Sequence, residues 1–232
     1  MSTEEKSNEI TAIPVLLDQL DLEDAVITID AAGSQKTIAA KIDAGGGDYV
    51  LALKKNHPTL YHEVESLFLD HLDDDFARCP VSRHEETETS HGRIEHRMYY
   101  QITAPKDLYG RSDWSGLKSI GMALRLYEQD GVERMDARFY LCSLRRNGKQ
   151  FGHAVRSHWG IENSLHWCLD MTYREDESRV RDRNFADNLA WLRRLTLSLI
   201  KQHSGKESLA MKRRMAGWSV DYLMQLLTGK HT

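Results

Sequence analysis

A short stretch near the amino terminus constrains the fold more than any other part of this chain. The run "DAVITID" is rich in β-branched residues and ends at Asp30, so it predicts a buried strand. The run "AAGSQKTIAAKI" follows it and predicts a helix with Ser34 as its N-cap. Three glycines, 45–47, end that helix, and "DYVLALK" predicts a second strand. Strand, helix and strand within about thirty residues predict a βαβ unit whose strands are parallel.

The segments around this unit give an order of α/β, then mostly β, then α. The run "TAIPVLLDQL" predicts a helix capped by Thr11 with Pro14 in its first turn, and residues 58–71 predict an amphipathic helix. Short strand-like runs separated by turn-rich segments then predict an antiparallel section, before helical periodicity returns. We therefore expect three segments. Residues 1–80 form the first portion of an α/β core, residues 81–148 a β-rich insertion, and residues 149–232 core helices with a C-terminal tail.

Composition narrows the class of protein. Hydrophobic residues make up 41% of the 232 positions and charged residues 28%, as in an ordinary soluble globular protein. No apolar run is long enough to span a membrane, and the acidic, polar start "MSTEEKSNEI" is not expected to act as a signal peptide. Three cysteines stand far apart without a Cys-x-x-Cys pair, which argues against a disulfide framework and a structural zinc site. This cysteine usage predicts a protein of a reducing cytoplasm.

Charge is distributed unevenly along the chain. Residues 1–90 carry 7 Lys and Arg against 19 Asp and Glu, whereas residues 91–232 carry 24 against 16. A basic C-terminal portion can bind a polyanion such as a nucleic acid. An unevenly charged, solvated surface explains the same counts, and the charge balance taken alone favours it.

Asp30 is the first candidate for chemistry. It is expected at the carboxyl end of the first strand of the βαβ unit, the edge at which open α/β sheets gather functional groups. Ile27 and Ile29 beside it are expected to be buried, so a carboxylate there needs a partner or a metal. The alternative is an aspartate that caps the next turn, helped by Gly33.

The stretch "HWGIENSLHW" supplies the second candidate, Glu162. On an α-helix His158, Glu162 and His166 lie four residues apart and face roughly the same way, so two histidines and a glutamate suggest a zinc site. The two histidines would lie about 12 Å apart along the axis, too far for one tetrahedral ion. We expect the histidines to be neighbours rather than ligands, and Trp159 and Trp167 to anchor the helix in the core.

Basic residues cluster around Glu162 and could neutralise DNA phosphates without reading sequence. Interspersed acids permit internal salt bridges instead, and the local excess of arginine favours DNA contact. The segment "HGRIEHR" offers His91, Arg93 and Arg97 as further contacts, or an exposed strand face with alternating polarity. The candidate DNA-binding residues are Arg156, His158, Arg174, Arg179, Arg181 and Arg183, followed by Arg193, Arg194, Lys212, Arg213 and Arg214.

Several stretches taken together resemble one family. "VITIDAAGSQKTIAAKI", "GGDYVLALKKNH", "HGRIEHR", "LKSIGM" and "VRSHWGIENSLHWCLDMTYREDESRVR" are similar to the H-repeat-associated proteins, which are DDE-type transposases of bacterial insertion sequences. The resemblance extends from about Lys6 to Leu227. It implies a ribonuclease H-like core with a β-rich insertion ahead of the helix that carries the last carboxylate, so the expected fold class is α/β with an incomplete core of this type and a helical C-terminal part.

The same resemblance implies metal-dependent cleavage and strand transfer of DNA with Mg²⁺ or Mn²⁺, and a homo-oligomer assembled on DNA. By motif match Asp30 is the second acidic residue of the family and Glu162 the third, so both are expected to be catalytic and to bind metal. The superfamily often has an arginine four residues before this glutamate and a lysine seven after it. His158 and Leu169 stand there, so His158 or Arg156 is expected to hold the phosphate.

The first aspartate of the family, which is typically followed by Gly-Lys, has no counterpart because the chain contains no Asp-Gly-Lys. We therefore expect a truncated transposase, inactive by itself, whose sheet exposes an apolar edge. A non-catalytic DNA-binding remnant or regulator is the alternative, and strongly salt-dependent binding without cleavage would favour it. A zinc hydrolase built on His158, Glu162 and His166 is a third reading. A decayed product that does not fold stably is a fourth.

Overall fold

The computed structural model describes residues 9–90, 93–129 and 131–229 of the chain. These residues form two compact units that divide between His158 and Trp159. We call the first the sheet unit and the second the helical unit. His91, one of the residues considered for DNA contact, lies outside the described residues, as do the side chains of Arg93 and Glu162.

One six-stranded mixed sheet organises the sheet unit, in the order β1-β2-β6-β5-β4-β3. β1 and β2 are parallel and joined through α2, so the predicted βαβ unit is confirmed. All other neighbouring strands are antiparallel, as predicted for the middle of the chain. The elements are α1 (Glu9–Leu17), β1 (Val26–Ile29), α2 (Lys36–Ala44), β2 (Asp48–Leu53), α3 (Pro58–Asp73), β3 (Val81–Ser90), β4 (Arg93–Thr103), a 3-10 turn (Arg111–Asp113), β5 (Ser119–Gln129), β6 (Val132–Cys142) and α4 (Gly148–Ile161).

Helices cover both faces of this sheet. Side chains on successive strand positions point to opposite faces, so Tyr49 and Leu51 join the core under α1, α2 and α3, while Val50 joins the core under α4. The predicted amphipathic helix is α3, and it buries Leu60, Val64 and Phe68. On the other face α4 buries Phe151, Ala154 and Val155. The sheet unit is therefore a three-layer α/β/α arrangement.

β1 differs from the buried strand that its sequence predicts. It is an edge strand of the described sheet, Ile27 and Ile29 are only half-buried, and Val26 is 37% exposed. The same kind of sequence is buried on both faces in β2, because β2 lies between β1 and β6. Sheet position, which the strand's own residues do not encode, accounts for the difference.

Two predicted helix caps are wrong. Thr11 lies inside α1, which already includes Glu9, so it does not cap that helix. The N-cap of α2 is Gln35, without a side-chain capping bond, and Ser34 instead donates its hydroxyl to the Asp30 carbonyl at 2.8 Å. The predicted end of α2 is confirmed, since Gly45 is its C-cap.

The helical unit is built from capped helices. Asp182, Ser208 and Ser219 each accept a hydrogen bond from a backbone N–H in the first turn of α6, α7 and α8 respectively, which fixes where these helices begin. Its described core is small and centres on Cys168, Leu169 and Leu197. The elements are a π-helical segment (Glu162–His166), α5 (Trp167–Tyr173), α6 (Arg183–Gln202), α7 (Leu209–Trp218) and α8 (Val220–Thr228).

The stretch "HWGIENSLHW" does not form the single α-helix that its spacing predicts. Residues 162–166 form a π-helical segment between α4 and α5, with i→i+5 rather than i→i+4 hydrogen bonding. The extra residue per turn breaks the stripe of residues spaced four apart. The two tryptophans are not core anchors either, because Trp159 is 40% and Trp167 is 59% exposed.

All three cysteines are free thiols, and burial raises the pKa of the Cys142 thiol strongly. No helix within the described ranges is both long and apolar enough to cross a membrane.

Glycine at the start of α4 allows the helix to approach β3 closely. A Cβ at Gly148 would lie 2.8 Å from the carbonyl carbon of Arg83, whereas a Cβ at Gly160 would meet nothing within 4 Å. We expect Gly148→Ala to lower the free energy of unfolding by about 1–3 kcal/mol, since backbone cannot yield as a side chain can. The matched change Gly160→Ala should raise it by up to about 1 kcal/mol through helix propensity. Urea unfolding followed by circular dichroism measures both, and equal effects would contradict the close approach.

Candidate functional site

Asp30 immediately follows β1, at the carboxyl end of the parallel pair. Its side chain is exposed, and its Oδ1 accepts a hydrogen bond from the Gly33 N–H at 3.1 Å. The predicted capping contact with the next turn therefore exists. A second bond holds the same turn, because the Ser34 hydroxyl donates a hydrogen bond to the Asp30 carbonyl. The two bonds together restrain the exposed carboxylate.

The loop after β2 is tied to the loop that Asp30 begins. The Asn56 side-chain amide donates to the Ala31 carbonyl at 2.6 Å, and Nε2 of His57 lies 2.8 Å from the Ser34 carbonyl. The His57 ring also packs edge-on against Trp114, with centroids 5.1 Å apart. Two loops at the carboxyl edge of parallel strands are thus joined by side-chain to backbone bonds, at the edge where open α/β sheets place their sites.

A cavity of about 190 Å³ adjoins this edge. Lys36 lies at its wall and forms an ion pair with Asp113, with a nitrogen–oxygen distance of 2.6 Å. That pairing holds the pKa of the Asp113 carboxyl below its usual range. Besides Lys36, the cavity is lined by Asn56, His57, Thr59, Tyr109 and Trp114, among others.

His158, predicted as a phosphate contact, lies against β1. Its Nδ1 is 3.1 Å from Oγ1 of Thr28, and the tautomer decides which atom donates. Thr28 precedes Asp30 by two residues, and positions two apart on a strand face the same side. Sequence reasoning missed Thr28, although the period of two along "VITID" was the available signal. The structure therefore brings His158 beside the strand that leads to Asp30.

Glu162 opens the π-helical segment that follows α4. Single π turns inside helices occur frequently at functional sites, which is consistent with its predicted role. Its side chain lies outside the described part of the chain, and it belongs to a different unit from Asp30. Its pairing with Asp30 stays a prediction.

Arg156, predicted to contact DNA, takes part in an ion network inside the sheet unit. Its guanidinium lies 2.5 Å from one carboxylate oxygen of Glu88, and Arg97 lies 2.6 Å from the other. Arg97 also pairs with Glu95, which in turn binds Arg125. Hydrogen bonding by Arg125 holds the pKa of the Glu95 carboxyl below its usual range. The network links α4 to strands β3, β4 and β5, so Arg156 has a structural role whether or not it contacts DNA.

The arginines predicted between α5 and α6 are accessible. Arg174 ends α5 in the left-handed conformation and is 75% exposed, with Glu177 3.7 Å away. Arg179, Arg181 and Arg183 are exposed. Lys212, considered with them, is instead 5% exposed and donates to the His203 carbonyl at 2.6 Å, so burial gives it a structural role.

The remaining arginines considered for DNA contact in the helical unit are Arg193, Arg194, Arg213 and Arg214. Arg194 lies 3.3 Å from Glu175, and the Arg213 guanidinium stacks over the Tyr173 ring at 4.9 Å. Arg193 is half-buried and Arg214 is exposed. The interspersed acids thus engage some of the arginines, as the alternative of internal salt bridges predicts.

No group of three or more His, Cys, Asp or Glu side chains that could hold a metal ion occurs among residues 9–90, 93–129 and 131–229 whose side chains are described. Asp30 is a hard oxygen donor of the type that Mg²⁺ and Mn²⁺ prefer. By itself it is one ligand of a site that must be completed by further carboxylates.

Comparison with known proteins agrees with the resemblance drawn from the motifs. The model of the transposase DDE domain matches residues 1–199. YncI of Escherichia coli O157:H7, whose name proposes a transposase, is 38% identical over 98% of this chain and 59% of its own length. YhhI of Escherichia coli K12, whose name proposes an H repeat-associated transposase, is 36% identical over 99% of this chain and 61% of its own length.

The chain thus spans about 60% of the length of these curated relatives. The match covers the sheet unit and residues 159–199 of the helical unit, and so includes Asp30 at the carboxyl end of β1 and Glu162 after α4. The chain therefore belongs to the family of transposases with a DDE domain.

Proposed function

We propose that this chain serves DNA transposition by metal-dependent cleavage and joining of DNA strands, with Asp30 and Glu162 as metal-binding catalytic carboxylates. The observation that carries the proposal is the placement of Asp30. Its exposed carboxylate stands at the carboxyl end of β1, oriented by the Gly33 N–H, in a chain of the DDE family. We further propose that β1, β2 and the helices that pack on them are part of a ribonuclease H-like core.

Asp30 and Glu162 would hold Mg²⁺ or Mn²⁺, which would supply activation of the nucleophile and stabilisation of the leaving oxygen in phosphoryl transfer. The part of Asp30 is to present a carboxylate that is already oriented before a ligand arrives. The bond from Gly33 to Oδ1 achieves this, because it restricts rotation of the carboxylate. His158, held on Thr28, is placed to contact a phosphate near Asp30.

We propose that the chain alone does not cut DNA. The two-ion mechanism requires a cluster of carboxylates, usually three or more. The sequence also lacks an Asp-Gly-Lys triplet. Asp30 and Glu162 would then supply two of the ligands that a complete site needs.

DNA is the partner that this function requires, and the exposed arginines between α5 and α6 are suited to its phosphates. Since bacterial DNA lies in the cytoplasm, we propose that the chain acts there. Strand transfer joins separate DNA ends, which favours a homo-oligomer. A non-catalytic DNA-binding regulator is the second candidate, favoured by the exposure of Arg179, Arg181 and Arg183.

Titration with Mn²⁺ tests the carboxylate pair without requiring activity. We expect Asp30→Asn and Glu162→Gln each to weaken Mn²⁺ binding by at least about tenfold, because even outer-shell partners of a metal contribute 10- to 100-fold. The double variant should bind no more weakly than the weaker single variant, since both changes remove the same site. Asp176→Asn, which changes an exposed carboxylate elsewhere, is the matched control.

The same proteins are then incubated with duplex DNA and Mn²⁺. We expect salt-dependent binding and no cleavage by the unaltered chain. Independent, additive effects of the two substitutions on Mn²⁺ affinity would show that Asp30 and Glu162 do not share a metal site. Nicking that disappears in Glu162→Gln would instead refute the proposal that the chain alone is inactive.

A further inference from the structure

Two adjacent lysines directly follow β2. In the part of the chain that the structure describes, neither has an acidic partner. Lys54 and Lys55 follow Leu53 directly, and both are exposed. Among residues 9–90, 93–129 and 131–229, no carboxylate forms an ion pair with either ammonium group. Some other lysines of this unit are paired, since Lys36 lies 2.6 Å from Asp113 and Lys41 lies 2.6 Å from Asp18.

The lysine pair belongs to a loop whose position is fixed relative to Asp30. Asn56 and His57, the next two residues, bond to backbone carbonyls of Ala31 and Ser34, in the loop that Asp30 begins. These bonds restrain the loop from the β2 side, while Gly33 and Ser34 restrain it from the β1 side. Lys54 and Lys55 are therefore held at the same sheet edge as the candidate metal-binding carboxylate.

Two exposed ammonium groups that have no carboxylate partner among the described residues attract an anionic ligand. Lysine is a compact, hydrated point charge and a common partner of phosphate groups. The ligand has to reach a solvent-exposed loop next to Asp30 and to offer more than one negative charge. Successive phosphates of a nucleic acid backbone meet both conditions.

We propose that Lys54 and Lys55 bind backbone phosphates of DNA next to the phosphate that is cleaved at Asp30. This inference rests on the proposed function, and it adds a binding site on the sheet unit to the arginines of the helical unit. Contacts with phosphates position a duplex but do not distinguish one base sequence from another. The lysine pair would therefore set the register of the DNA at Asp30 for any sequence.

The dependence of DNA affinity on salt concentration measures the contacts directly. On duplex DNA each neutralised phosphate contributes about 0.9 to the slope of log affinity against log salt. We expect the double variant Lys54→Ala, Lys55→Ala to lower that slope by about 2, equally on unrelated DNA sequences. The double variant Lys54→Arg, Lys55→Arg preserves both charges and should keep the slope of the unaltered chain.

Two further variants separate position from charge. Lys106→Ala combined with Lys149→Ala removes two exposed lysines from other parts of the sheet unit and should leave the slope unchanged. Asn56→Ala keeps both charges but removes the bond to Ala31. It should weaken binding while the slope stays the same, because a mobile loop must be ordered when DNA binds. Thermal melting of each variant checks that it is folded.

Three results would overturn the inference. First, the unaltered chain could bind with strong salt dependence while the variant with Lys54→Ala and Lys55→Ala keeps the same slope. That result would contradict the lysine site and leave the proposed function intact. An equal loss of slope in the Lys106, Lys149 variant shows a general charge effect. Absence of salt-dependent binding by the unaltered chain contradicts the proposed function, and the inference then fails with it.

Discussion

Replacing Phe151 with alanine is expected to lower the free energy of unfolding of the sheet unit by about 3–5 kcal/mol. Phe151 is fully buried between α4 and the sheet. Its ring packs edge-on against Tyr99 and Tyr140, with centroid distances of 6.1 and 5.5 Å. The effect should lie at the upper end of the range for large-to-small changes, because the cavity is bordered by rigid strands that cannot collapse into it.

Urea unfolding measured by circular dichroism gives this value, and Met135→Ala provides the control. Met135 lies on β6 of the same unit and is 65% exposed, so its loss should cost less than about 1 kcal/mol. A cost for Phe151→Ala as small as that of the control would mean that α4 is not anchored on the sheet through this ring.

Gly121→Ala is expected to lower the free energy of unfolding by about 1–3 kcal/mol. Gly121 lies on β5 under the Phe151 ring, and an added Cβ would lie 2.4 Å from Cζ and 2.6 Å from Cε2 of that ring. The ring cannot move aside because Tyr99 and Tyr140 enclose it. Glycine at this strand position is therefore required by the close approach of an aromatic ring.

A double-mutant cycle distinguishes this clash from a general weakening of the strand. In the Phe151→Ala background, Gly121→Ala should become neutral or stabilising by up to about 1 kcal/mol, because the added methyl group fills part of the cavity and alanine restricts the unfolded chain. Additive destabilisation in the double variant would show that contact with Phe151 is not the cause.

Phe151 and Gly121 both affect how α4 is attached to the sheet. The helix is held to the sheet by the Phe151 ring and by the ion pair of Arg156 with Glu88, and its sequence continues directly to Glu162. Ion pairs that are partly exposed contribute little, on the order of 0–1 kcal/mol, so the apolar contact dominates the attachment.

The local elements were predictable wherever one short-range signal determined them. The β-branched run before Asp30 and the glycine run 45–47 predicted β1, α2 and β2 correctly. Their parallel pairing was predictable because two strands joined through a helix in one sheet run in the same direction. The same reasoning placed Asp30 at the carboxyl edge of the parallel pair. The motif resemblance also identified the family, which the match over residues 1–199 confirms.

Other predictions were wrong because distant parts of the chain decide them. β1 is an edge strand of the described sheet, whereas β2 is an inner strand because β6, about ninety residues further on in sequence, pairs with its other side. Trp159 and Trp167 are exposed, and a π-helical segment lies between them where the spacing predicted a continuous α-helix. No local pattern signalled that segment.

The sequence by itself determined the βαβ unit, the antiparallel middle section, the family, and the position of Asp30 at a strand end. Only the tertiary structure decided that Arg156 is paired with Glu88, that His158 lies on Thr28, and that Asn56 and His57 fix the Lys54–Lys55 loop beside Asp30. The physical reason is range. Strand, helix and turn preferences act over a few neighbouring residues, whereas these contacts join residues 23 to 130 positions apart that only a folded sheet brings together.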